Sequence, residues 1–212
     1  MPDAYAPFYI LSTGNPFGID RADMSFLILL TAWIWVPLIP LRLLLHAGIS
    51  FWRRMKAASI GIVALYFIVI DLYLYKGSSL FLDWTFQTPP LFLFIGISMI
   101  ILALLFHFWT IQTLGLSTLF LRPQVNPEKV KVSLVIDGPY RWVRHPFYLV
   151  DWLMLLGLTL VTTSWLVLLI LIASLVTIPL VTLFEERELA ERFGEEYRRY
   201  QSEVPRLIPK WR

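Results

Sequence analysis

Two long stretches of this chain carry no formal charge: no Lys, Arg, Asp or Glu lies between Asp83 and Arg122, nor between Asp151 and Glu185. A helix on the surface of a water-soluble domain sets charged residues against water at regular spacing. Stretches of this length without them face a different solvent, and a bilayer span takes about 20 apolar residues. The first stretch has room for one span with a tail, and the second for a tight hairpin of two. Composition agrees, since 58% of the residues are hydrophobic and 16% charged, against about a quarter charged in a soluble domain. The sequence predicts an all-α integral membrane protein.

Five spans are expected, at about residues 24–46, 57–75, 91–111, 148–161 and 165–184. The fourth is short. Pro37 and Pro40 are expected to bend the first, and Pro179 to interrupt the ladder of the fifth. Residues 162–164, Thr-Thr-Ser, read as a tight turn between the last two. Basic residues set the orientation. The loop after span one holds Arg53, Arg54 and Lys56, and the loop after span three holds Arg122, Lys129, Lys131, Arg141 and Arg144. The tail holds seven more, whereas the opposite side offers only Arg21 and Lys76. Five spans with the N-terminus outside place every basic segment on the cytoplasmic side. The opening residues, MPDAYAPFYI, have no basic region ahead of an apolar core, so no cleaved signal peptide is expected.

The chain reads as a single membrane domain, 1–212, with spans one to three at 24–111 as its variable part. Residues 112–212 read as the half that carries chemistry. The net charge of +3 is spread over short flanks, which argues against a nucleic-acid surface. The absence of cysteine removes disulfides, thiolate metal ligands and a cysteine nucleophile, and no metal is expected. The stretch LRPQVNPEKVKV is a loop by its prolines and Asn. The tail from Phe184 reads as an amphipathic helix with Leu189, Phe193, Tyr197, Tyr200 and Val204 on one side. Glu185, Glu186 and Glu188 fall where its first turn should be, a position that the helix dipole favours for acids. Pro205 is expected to stop it.

Two polar clusters then share one membrane face: DGPYRWVRHPFY before span four and EERE after span five. A hairpin brings them together at headgroup level. Each cluster alone also fits a bland role, the first as a topology signal and the second as helix capping. Their pairing is more specific. LVIDGPYRWVRHPFYL followed by EERELAERFGEEYRRYQSEVPRLIP resembles the isoprenylcysteine carboxyl methyltransferase family and its prokaryotic relatives, a group that includes phospholipid N-methyltransferases. The likeness covers roughly Leu105 to Pro209.

The resemblance implies S-adenosylmethionine as cofactor, bound at the cytoplasmic face in a pocket closed by the C-terminal helix. It implies a lipophilic small-molecule or prenylated acceptor entering from the membrane lipid. Gly138, Pro139, Tyr140, Arg144, His145, Tyr148, Glu185 and Glu186 are the implied cofactor residues. Glu185 and Glu186 suit its cationic parts, and Arg144 and His145 suit its carboxylate through charge-assisted bonds. Tyr140 and Tyr148 offer faces for adenine and hydroxyls for ribose. Methyl transfer to an ionised carboxylate needs positioning rather than a base, so Arg144 and His107 are the expected catalytic residues. His107 stands where relatives commonly have an Arg, in HFWTIQTLG. It suits either a pH-dependent carboxylate holder or a base for another nucleophile.

A second reading competes. Membrane sterol reductases, which use NADPH, resemble these enzymes in their C-terminal half and carry an Asp where this chain has Asp151. A charge inside a span is costly unless paired or functional. A non-enzymatic scaffold or transporter subunit would line a central path with charges, but beyond Arg42, Asp71 and Asp151 the spans hold almost none.

Overall fold

The computed structural model describes residues 21–55, 58–115 and 133–210. The first twenty residues, Lys56, and the loop residues Arg122, Lys129 and Lys131 lie outside them. The described residues form helices α1 (Arg21–Ala47), α2 (Ile49–Met55), α3 (Ala58–Lys76), α4 (Leu91–Leu114), α5 (Pro146–Thr162), α6 (Trp165–Phe193) and α7 (Glu195–Glu203). Short 3-10 turns occur at Ser78–Leu80 and Gly138–Arg141. Among the described residues no strand forms beyond one isolated bridge, Thr85 with Ser164.

Four helices, α1, α3, α4 and α6, are long and apolar enough to cross a membrane. Their outward surfaces match that solvent: Ile60, Leu65 and Leu72 on α3 and Leu102, Leu105 and Phe108 on α4 are all exposed. A water-soluble monomer rarely shows apolar area on this scale. At 17 residues, α5 reaches about 25 Å, short of the roughly 30 Å hydrocarbon core. It makes up for length with packing. Gly96 of α4 and Gly157 of α5 meet so closely that a Cβ on either would come within 2.8 Å of the other's carbonyl oxygen. Small residues facing one another in this way let two helices approach in lipid, where van der Waals contact replaces the hydrophobic drive.

On the other side α1 lies against α6, with Ala32 and Ile39 clustered with Ile170 and Leu171 of α6 and Leu155 of α5. The α5–α6 turn is as tight as expected. Thr163 takes a left-handed φ of 48°, and Phe86 N donates to Thr163 O at 2.8 Å. Trp84, Phe86 and Trp165 cluster there, at the end of the bundle remote from the glutamates. The prolines do not end their helices: α1 continues through Pro37 and Pro40, and α6 through Pro179. Tyr66 of α3 donates its hydroxyl to the Pro37 carbonyl at 3.1 Å.

The tail differs from expectation. No helix begins at Glu185, because α6 runs unbroken to Phe193, and the glutamates sit within a helix rather than at a positive N-terminus. Thr182, the nearby residue with a capping-type side chain, is fully buried and donates to Pro179 O at 2.8 Å. The break falls at Gly194, whose φ of 56° and ψ of −128° suit glycine. Glu195 and Glu196 then occupy the first turn of α7. Val204 is extended at φ −113° and ψ 131°, as the residue before Pro205 favours.

Candidate active site

The site is assembled on backbone first. Gly138 opens the 3-10 turn at φ 57°, and a Cβ there would lie 2.6 Å from Thr113 Oγ1, so only glycine lets the turn press against α4. Pro139 and Val143 are buried beneath it. The chain then runs beside the C-terminal segment: Arg144 N donates to Pro205 O at 2.9 Å and His145 N to Arg206 O at 3.1 Å. Tyr200 of α7 donates its hydroxyl to Tyr140 O at 2.6 Å. The loop before α5, the end of α6 and the segment after α7 are thus one unit.

Glu186 is its hub. The carboxylate is 4% exposed. Its Oε1 accepts from Arg144 Nε at 2.8 Å and lies 3.2 Å from His145 Nε2. Its Oε2 accepts from Arg206 Nη2 at 2.7 Å and Gln201 Nε2 at 3.3 Å. Arg144 is equally committed: Nη2 lies 2.7 Å from Glu186 Oε1, and Nη1 donates to the carbonyls of Gln201 and Val204.

Glu185 is placed differently. Its Oε2 is buried with no hydrogen-bond partner among the described residues, and His145 Nδ1, at 3.6 Å, is just beyond bonding reach. Two further buried polar atoms lack partners in this region, Tyr197 Oη and Arg206 Nε. Burial, reinforced by Glu185 for Tyr140 and by Glu186 for Tyr197, pushes both phenols well above their ordinary pKa. Tyr200 is raised as well, again chiefly by burial. All three therefore stay neutral hydroxyls. The Tyr148 ring lies 5.7 Å from that of His145 and packs on Ile178, Val181 and Leu207. An open cleft of ≈ 270 Å³ is lined by Leu183, Glu186, Arg187, Ala190, Gln201 and Arg206, below the roughly 300–1,000 Å³ of typical ligand pockets.

Of the residues singled out in sequence, Tyr140, Arg144, His145, Tyr148, Glu185 and Glu186 come together, with Gly138 and Pro139 shaping their loop. His107 is outside this hydrogen-bonded unit, its ring edge-to-face on Phe147 at 5.4 Å. Gln201, Arg206 and Tyr197 are added by the structure. Arg206 belongs to the VPRLIP run, and its spacing from the Glu pair was the available signal. Asp151 pairs with Arg42 of α1, and His46 of α1 meets Glu188 at 3.0 Å.

A bundle of apolar helices with such a cluster at one end defines an integral membrane protein. The phospholipid methyltransferase family model matches residues 91–196, half of the chain, and the chain belongs to that family. It is also similar to methanethiol S-methyltransferase 1 of Bradyrhizobium diazoefficiens, 35% identical over 91 residues. That stretch covers 42% of this chain and 29% of the relative's length.

Proposed function

We propose that this protein transfers a methyl group from S-adenosylmethionine to a lipophilic acceptor drawn from the bilayer. The observation that carries the reading is the set of buried, unpartnered polar atoms around the Glu pair: a Glu185 oxygen that needs a donor, and Tyr197 Oη and Arg206 Nε. These suit a ligand with both an ammonium and a carboxylate. When bound, the cofactor would supply a methyl on a sulfonium centre. Glu185 would face its cationic part, Arg206 its carboxylate, and Tyr140 and Tyr148 its nucleoside. Arg144, with each of its three nitrogens already engaged, would hold the loop in place. Water exclusion and alignment are what this chain's residues contribute to such a transfer.

In this reading the protein has five spans, with the short α5 as the fourth, and the Glu185–Arg206 end faces the cytoplasm. The half 112–212 supplies the site. His107, against Phe147 at the level where α5 begins, lies toward the acceptor. An imidazole clamps a carboxylate strongly only when protonated, which favours a neutral nucleophile over a prenylcysteine carboxylate. Accordingly, His107→Arg should lower activity on the true acceptor without raising carboxyl methylation.

The reductase alternative rested on Asp151, and its pairing with Arg42 accounts for that charge without a dinucleotide. Equilibrium binding of labelled S-adenosylmethionine and of NADPH to the detergent-purified chain tests the choice. Saturable binding of the first alone is expected; binding of NADPH alone would overturn the proposal.

A further inference from the structure

The family match begins at residue 91, yet α1 reaches into the site. Arg42 lies about a turn and a half before the end of α1 and Asp151 about a turn and a half into α5. The two form a direct ion pair, with side chains 23% and 13% exposed. The guanidinium carbon also sits 4.9 Å from the centre of the Tyr148 ring. Tyr148 and Asp151 are three residues apart on α5 and so share a face. One guanidinium from a different helix therefore grips two positions about one turn apart on α5. Leu43, the next residue of α1, packs against the same cluster as Tyr148.

Geometry of this kind fixes a ring. A planar guanidinium anchored at one edge by a carboxylate presents its face or remaining donors in a set direction, which a lysine would not do. The ring it covers lies 5.7 Å from His145, the residue placed between Glu185 and Glu186. Among the described residues α1 also brings His46 here, whose ring lies 3.0 Å from Glu188, and Arg42 is the group over Tyr148.

We propose that Arg42, held by Asp151, is a positioning residue that sets the Tyr148 ring for ligand binding, so that the first helix is part of the site. The proposal rests on S-adenosylmethionine being the ligand. It makes a claim about orientation more than charge, because Arg42 and Asp151 are neutral as a pair and removing both leaves the net charge of the site unchanged.

The test is Arg42→Met/Asp151→Leu in the full chain, studied by thermal unfolding without ligand and by titration with S-adenosylmethionine. A buried ion pair replaced by apolar residues of similar size is often neutral or stabilising, so the unfolding midpoint should stay close to wild type. The dissociation constant should rise at least about tenfold, on the order of 1.4 kcal/mol. Should that variant not fold, Arg42→Gln/Asp151→Asn keeps a hydrogen-bonded pair without the cation, and the same rise is expected. Wild-type affinity in a folded double variant would overturn the positioning role and leave the cofactor reading intact. Absence of binding to the wild-type chain would overturn both.

Discussion

Glu186 accepts hydrogen bonds from Arg144, Arg206 and Gln201 with His145 in reach, whereas Glu185, one residue earlier on α6, keeps a buried oxygen with no hydrogen-bond donor among the described residues, His145 Nδ1 standing off at 3.6 Å. The two carboxylates share a helix and a charge, but the Glu186 side chain is 4% exposed and that of Glu185 26%. Their surroundings differ because successive helix positions point about 100° apart. Glu186 faces α7, which brings Gln201, and the segment after it, which brings Arg206, while Glu185 faces Tyr140, Tyr148 and His46, whose fields reach it. A carboxylate whose valences are all met holds structure together. One with a buried oxygen that lacks a donor carries a cost, and a cationic ligand would offset it.

The largest effect should follow from breaking the saturated member. Glu186→Gln leaves two guanidinium groups without their anion, and removing one partner of a buried ion pair costs about 3–5 kcal/mol. Denaturation of the solubilised protein should show a loss of that order. A small loss would mean that Arg144 and Arg206 find other partners and that the contrast with Glu185 is overstated.

Next is the close contact between α4 and α5. Gly157→Val would drive side-chain carbon into the Gly96 carbonyl and into Ile100, each 2.8 Å from the new Cβ. Forcing α4 and α5 apart should cost about 1–3 kcal/mol, read as a lowered midpoint.

Tyr200→Phe should cost about 1 kcal/mol, the net worth of one hydrogen bond, here the 2.6 Å bond to Tyr140 O. Because that bond ties α7 to the loop, proteolysis of the C-terminal segment should speed up with it. Arg198→Ala, which removes an exposed pair with Glu195, should change neither stability nor binding measurably, since solvent screens such pairs. A clear effect there would show that any charge in the tail matters and that the Glu186 hub is nothing special.

Much of this was legible in the sequence for a physical reason. Charge-free stretches admit few structures, so the long helices and the tight turn at Thr163 could be read directly. The two polar runs flank one hairpin, and their meeting follows from connectivity alone. The tail was misread because acids after an apolar run look like a helix start; only the buried state of Thr182 and the conformation of Gly194 show that α6 continues. The intramembrane charges of Arg42 and Asp151 could be flagged as needing partners, but which partner is a fact of packing between helices 109 residues apart. The separate fates of Glu185 and Glu186 were not readable at all, since they depend on the helix phase relative to a segment 20 residues later.

The central claim is that Glu185 serves a ligand and Glu186 serves the fold, and ligand-induced thermal stabilisation tests it most directly. A ligand that binds only the folded state raises stability by RT ln(1 + [L]/Kd), about 2.7 kcal/mol at a hundredfold excess over Kd. Without ligand Glu185→Gln should unfold at or slightly above the wild-type temperature, and saturating S-adenosylmethionine should raise the midpoint of wild type alone. Equal stabilisation of both proteins, or a Glu185→Gln midpoint already far below wild type without ligand, would contradict the account.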